Sequence, residues 1–132
     1  MRVLEFEPFC DLIPLCDWLA AHKHPVLEEK ELPALGWIAY DGETPVATAF
    51  LRMVEGGMAQ LDGLCTNPTL PGAQRHEAID LVVAKCLEEA KARGITKVYA
   101  LSVDEGILVR SQKHGFVRAP HVLIVHNPKG VA

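Results

Sequence analysis

No other part of the chain limits its fold as much as the stretch from Leu61 to Gly94. It opens on the apolar strand pattern Leu61-Asp62-Gly63-Leu64-Cys65-Thr66 and runs through the loop Asn67-Pro68-Thr69-Leu70-Pro71-Gly72. Apolar residues then fall at Ala78, Ile79, Val82, Val83, Cys86, Leu87 and Ala90, a spacing near 3.6 that predicts a long amphipathic helix. Gly94 is placed to stop it. A strand that hands a loop to a helix start builds an anion site, because the first-turn N–H groups have no partner inside the helix. The helix start is expected at Gln74-Arg75-His76-Glu77-Ala78-Ile79, which holds no glycine and puts the Glu77 carboxylate in the first turn. Architecture and chemistry point in opposite directions at this one place.

The flanking segments complete an α/β pattern. Val3, Leu4 and Phe6 predict a short first strand. A helix is expected from near Asp11 or Pro14 to about His22, burying Ile13, Cys16, Leu19 and Ala20, since proline belongs in a first turn. Residues 22–33 read as loop with at most one helical turn. Gly36 to Tyr40 and Thr44 to Val54 read as strands joined by Asp41-Gly42-Glu43, a strong hairpin signal. Glu55-Gly56-Gly57 turns the chain into Met58 to Thr66, which closes an antiparallel meander. After the long helix, Ile95 to Val103 reads as a buried strand reached by a β-α-β crossover. A short helix from Glu105 to about Lys113, closed by Gly115, and one or two strand segments between Val117 and His126 end the pattern. The expected fold is a single α/β domain over residues 1–132, with a mixed sheet of about six to seven strands flanked by helices.

Bulk properties narrow the partners. A chain of 132 residues can bury about two-thirds of its unfolded surface. A formal net charge of -4 gives no electrostatic reason to expect nucleic acid or an anionic membrane. No apolar run approaches the roughly 20 residues that span a bilayer, and no signal peptide opens the chain, so a cytoplasmic protein is expected. Cys10, Cys16, Cys65 and Cys86 show no metal-finger or C-x-x-C spacing. A reduced core role is the expectation for the apolar-face cysteines. His22-Lys23-His24 has no suitably spaced partner, so no metal is expected. Trp18 and Trp37 are expected in the core, and Lys85, Glu88, Glu89, Lys91 and Arg93 on a solvated helix face.

The order of these elements and their residues resembles the GNAT superfamily of acyl-CoA-dependent N-acyltransferases. Leu61-x-x-Leu64-x-Thr66-x-Pro68 is similar to the family's fourth strand and the proline after it. Ala90-Lys91-Ala92-Arg93-Gly94-Ile95 resembles the end of its long helix, and Gly115-Phe116 its closing pair. The resemblance implies acetyl-CoA or CoA as cofactor, with the backbone of Leu64, Cys65 and Thr66 along the pantetheine. It also implies a pyrophosphate held over Gly72, Ala73, Gln74, Arg75, His76 and Glu77. Counting back from Gly94, Gln74 keeps the first position of the family's Q/R-x-x-G-x-G/A loop, while Glu77 and Ile79 replace its two glycines. The stretch from Pro68 to Gln74 also counts longer than in the family. Ser111 stands where the family often carries a general-acid tyrosine, and Asp104 where it carries an asparagine.

Acyl transfer to an amine needs a proton acceptor, and Asp62 sits near the place where the family often has an acidic base. The resulting reading is an N-acyltransferase that moves an acetyl or other acyl group from a CoA thioester to a small-molecule or protein amine. It leaves a homo-oligomer open. The alternative, from a different class, is a GNAT fold that has lost its motif and serves as a binding or structural module in a larger assembly, such as one encoded by a phage or mobile element. Fold alone does not choose between them.

Overall fold

Asp41 ends β2 (Leu35–Asp41), Gly42 turns the chain at a φ of 62°, and β3 (Thr44–Val54) returns with Thr44 opposite Asp41. The hairpin that the Asp-Gly pair predicts is therefore present in the computed structural model, which describes residues 1–102 and 105–119. β4 (Met58–Thr66) pairs antiparallel to β3, and β1 (Arg2–Glu5) pairs antiparallel to β2 from the far edge. The long helix α2 (Gly72–Ala92) then carries the chain to β5 (Lys97–Tyr99), which lies parallel to β4. The described sheet has five strands in the order β1-β2-β3-β4-β5, fewer than the six to seven expected. The sequence predicts one or two final strand segments over 117–126. Residues 117–119 have no regular structure, and 120–126 lie outside the described residues.

Residues Met1–Leu101 form one compact unit, and a second begins at Ser102. The first has two cores, one on each face of its sheet. Because neighbouring strand residues point to opposite faces, Ile38, Phe50 and Cys65 turn one way and pack with Leu15, Trp18 and Leu19 of α1 (Pro8–Ala21). The opposite face carries Trp37, Ala39, Ala47, Ala49, Leu51, Ala59 and Leu61, all buried. Across it lies α2, burying Ala78, Val82, Val83, Cys86 and Ala90. Alanines on both sides let helix and sheet backbones approach closely. Both tryptophans are core residues, as expected.

The helix α1 departs from its expected limits. It begins at Pro8, and Pro14 is the seventh of its 14 residues, so this proline does not mark the start. Pro14 removes the hydrogen bond that Cys10 would otherwise accept, and Cys10 is exposed, where water can meet its carbonyl. The buried stripe is Asp11, Leu15, Trp18 and Leu19, while Ile13 is 73% exposed and Ala20 also faces out. The inward residue that rotates this face is polar. Asp11 is 3% exposed, its Oδ2 accepts the Glu7 N–H at 2.8 Å, and its Oδ1 accepts the Tyr40 hydroxyl at 2.5 Å. One side chain thus satisfies the helix entry and pins it to β2. Tyr40→Phe would leave Asp11 Oδ1 without that donor. A loss of about 2 kcal/mol is expected in urea unfolding, against near-neutrality if water replaces the hydroxyl.

Fewer residues of the second unit are described. α3 (Glu105–Ser111) runs into a 3-10 turn at Gln112–His114, and Gly115 closes it at a φ of 86°. Arg118 Nη2 pairs with Glu105 Oε1 at 2.8 Å.

Candidate functional site

The register between β3 and β4 slips by one residue. Thr48 lies opposite Cys65 but Phe50 opposite Asp62, so Ala49 faces both Gly63 and Leu64. Two residues against one make a β-bulge, and Gly63 occupies it at a φ of 60°, where a side chain is strained. Three contacts lock it. Thr48 Oγ1 donates to Gly63 O at 3.0 Å, Gly63 N donates to Asp62 Oδ1 at 2.8 Å, and Arg52 Nε donates to Asp62 Oδ2 at 3.0 Å. Arg52 also donates through Nη2 to Glu31 O at 3.1 Å, tying the 3-10 turn Glu29–Glu31 to the same point.

Ahead of the bulge, after Gln60, β4 has no further described neighbour on its β5 side. β5 pairs only with Met58, Ala59 and Gln60, and no described strand pairs with that side of β4 from Leu61 to Thr66. The buried strand expected over 95–103 is therefore ordered as strand for three residues only, with Val103 outside the described residues. Leu64 is half exposed, Cys65 turns into the core beside α1, and Thr66 is half buried. His22, at the C-terminal cap of α1, has its Nε2 2.9 Å from Thr66 O. Burial pushes the Cys65 thiol up to about 11 against the opposing Thr66 backbone hydrogen bond, so it stays protonated at neutral pH and is no nucleophile.

The start of α2 differs from its expected place, and the difference changes the chemistry. The helix begins at Gly72, two residues before Gln74, with Pro71 at its cap and no side-chain cap bond. What counts as a lengthened loop from Pro68 to Gln74 is a five-residue loop, Asn67–Pro71, followed by helix. Asn67 holds that loop: its N donates to Val46 O, its Nδ2 to Pro45 O, and its Oδ1 accepts from Thr69 N and Oγ1. The first helical bond is Arg75 N to Pro71 O at 3.1 Å, which leaves the amides of Gly72, Ala73 and Gln74 outside the helical ladder. No acidic residue lies in the first turn. Glu77 is corrected to the second turn, where it is exposed, as is His76.

Three further features bear on an anion at this helix start. Added bulk at Gly72 would meet nothing within 4 Å, so the approach is open. Arg75 lies half buried with its Nε lacking a hydrogen-bond partner. Against these, Gln74 Nε2 donates to Asp41 Oδ2 at 2.8 Å. A carboxylate from the β2–β3 turn thus takes up the residue that the family resemblance assigns to pyrophosphate. Nothing in the sequence near Gln74 announces Asp41, since 33 positions separate them.

The structure brings Asp62, Leu64, Cys65 and Thr66 together on one strand and Gly72, Ala73, Gln74, Arg75, His76 and Glu77 on the helix that follows. Ser111 is the last residue of α3, and its Oγ donates to Leu108 O at 2.7 Å. It belongs to the second unit, and Asp104 lies outside the described residues. No group of three or more potential metal ligands occurs among the described residues. No described helix is long and apolar enough to cross a membrane. The sequence gives Gly63, Arg52 and Phe50 no role at the site, and gives Asp41 only a place in the hairpin turn. A glycine inside a strand is the one available signal, since it often marks a bulge.

No protein-family model matches the sequence, and no curated protein matches it. Solved structures match in fold over nearly the whole chain. A GNAT-family acetyltransferase of Streptococcus pneumoniae aligns over 96% of this chain and 99% of its own, at 15% identity and a TM-score of 0.71. A candidate acetyltransferase of Agrobacterium tumefaciens aligns over 96% and 100%, at 20% identity and a TM-score of 0.74. A Mycobacterium tuberculosis protein solved with CoA aligns over 95% of this chain and 76% of its own, at 14% identity and a TM-score of 0.74. The chain has the GNAT fold. At these identities the likeness is one of fold.

Proposed function

We propose that residues 1–132 act as one GNAT-type acyltransferase domain that takes an acyl group from a CoA thioester and gives it to an amine. One observation carries this reading: among the described residues the bulged β4 has no partner on its β5 side after Gln60 and leads to a helix start with three open amides. In this reading the Leu64–Thr66 backbone holds the pantetheine. The amides of Gly72, Ala73 and Gln74, with Arg75 in the same turn, hold the pyrophosphate. The thioester supplies an activated acyl carbon when bound. An attacking amine must release a proton, and Asp62 is the proposed acceptor, directly or through water. Its oxygens already accept from Gly63 and Arg52, yet each carboxylate oxygen has two lone pairs, and its side chain is 37% exposed. Solvent would return a proton to the departing sulfur, which as a thiolate is readily protonated by water.

Titration calorimetry with CoA and acetyl-CoA tests the reading, and no heat at millimolar ligand would sink it. The same assay separates the two carboxylates near the helix start. Asp41→Asn removes the charge bound to Gln74 and is expected to tighten CoA binding about threefold to tenfold. Glu77→Gln, in the second turn and exposed, is expected to change it less than twofold. The reverse ranking would place the pyrophosphate elsewhere. A chain that binds no CoA in any variant leaves the non-catalytic module as the better reading.

A further inference from the structure

Helix α1 buries one face and leaves a second apolar face in water, which the acyl-transfer reading does not use. Phe9 is 97% exposed, and Cys10, Ile13 and Ala20 are exposed with it. Phe9, Ile13, Cys16 and Ala20 follow one another at intervals of four, three and four positions, so they form a single stripe along the helix. The stripe lies opposite Asp11, Leu15, Trp18 and Leu19, which are buried. Cys16 is half buried, with its Sγ donating to Leu27 O at 3.3 Å, and the neighbouring Val26 is exposed. Asp17 is the one charged residue among the outward positions of α1, and it flanks the stripe. A lone exposed apolar side chain is ordinary, whereas a row of them over the length of a helix marks an interaction surface.

Two gradients run along this stripe, and together they select its occupant. Size falls from Phe9 and Ile13 in the first half of the helix to Cys16 and Ala20 in the second. Charge changes sign between the ends. Glu7 precedes the helix and Lys23 follows it, both exposed, and neither side chain is paired among the described residues. A second copy laid antiparallel reverses both gradients. Phe9 then meets Ala20 and Ile13 meets Cys16, large against small at each level, and Glu7 of each copy comes beside Lys23 of the other. The two-fold axis makes every such contact occur twice. We propose that α1 is the contact surface of an antiparallel homodimer of this chain. A helix of 14 residues is about 21 Å long, so the interface falls below about 1,200 Å2 and the association is weak. The inference does not depend on acyl transfer, since it is read from mass alone.

Sedimentation equilibrium of the full chain tests it, in reductant so that the exposed Cys10 thiol forms no cross-link. The mass is expected to climb from monomer to dimer between micromolar and millimolar chain and to stop there. Ile13→Asp places an unpaired charge in the contact and should weaken association more than about tenfold. Its urea midpoint should match the wild type, because Ile13 is exposed. Glu7→Lys and Lys23→Glu each turn attraction at the stripe ends into repulsion and should weaken the dimer about fivefold. An equimolar mixture of these two variants restores opposite charges across the contact, so it should associate within about twofold of the wild type. A chain that stays monomeric at millimolar concentration, a dimer that Ile13→Asp leaves intact, a mixture no tighter than its components, or growth past the dimer would each overturn the proposal.

Discussion

Gly63→Ala is expected to destabilise the protein by about 3–5 kcal/mol, a large share of the total for a domain of this size. Two costs fall on the same methyl group. At a φ of 60° an L side chain costs roughly 1–2 kcal/mol. The new Cβ would also stand 2.6 Å from Phe50 Cδ2, inside any real contact distance, and overpacking of this kind typically costs about 1–3 kcal/mol. Phe50 cannot swing away, because Gly36 takes its other edge. A Cβ there would stand 2.2 Å from Phe50 Cδ1. Gly36→Ala, without the φ penalty, is expected to cost about 1–3 kcal/mol. Urea unfolding of Gly63→Ala, Phe50→Leu and the double variant separates the two costs. A coupling of about 1–2 kcal/mol in favour of the double variant is expected, and a loss under 1 kcal/mol for Gly63→Ala alone would show that the bulge does not need glycine. Should the acyl-transfer reading hold, Gly63→Ala also loses CoA binding, because the bulge directs the open edge of β4.

A steep loss of stability at alkaline pH is the second large effect. Burial pushes the Cys86 thiol from its ordinary 9.0 up to about 12 and the Cys65 thiol from 9.0 to about 11. The Tyr40 phenol rises from 10.0 to about 12, first through burial and then through its hydrogen bond to Asp11. Raised folded-state values mean that the unfolded chain gives up these protons first. Their contribution is therefore whole below about pH 9 and is lost as the pH climbs towards 11 and 12. Each buried thiol steepens the fall by about 1.4 kcal/mol per pH unit once the unfolded thiol has ionised. Urea melts at pH 7 and pH 10 check this. Cys86→Ala should cost about 1 kcal/mol at pH 7 by lost packing, yet fall less between the two pH values than the wild-type chain. Parallel lines for the two proteins would refute the assignment.

The legible parts of this fold are those set by neighbours in sequence. Asp41-Gly42 turned where its dihedral preferences require, Gly94 stopped α2, and the apolar positions at 78, 82, 83, 86 and 90 reached the sheet. The helix α1 was read less well. Its apolar residues at 9 and 13 face solvent, whereas a polar residue at 11 faces in. Periodicity counts apolar positions and cannot see that Tyr40 and the Glu7 N–H wait for a carboxyl group on the buried side. The start of α2 at Gly72, two residues before the expected Gln74, escapes the sequence for a related reason. Alignment on Gly94 fixes how many residues lie before the stop, but not how many of them are helical.

Local order, turn positions and the GNAT pattern could thus be read from the chain alone, because each rests on the preferences of adjacent residues and their period. The site could not. Asp41 reaches Gln74 across 33 positions, and Phe50 dictates glycine at Gly36 and Gly63 from two different strands. The parting of β4 from β5 is likewise a relation between segments separated by a whole helix. Such relations are contacts of the folded state, so only the tertiary structure decided that the helix start bears open amides, an unpartnered Arg75 Nε and, beside them, an acid of the protein's own.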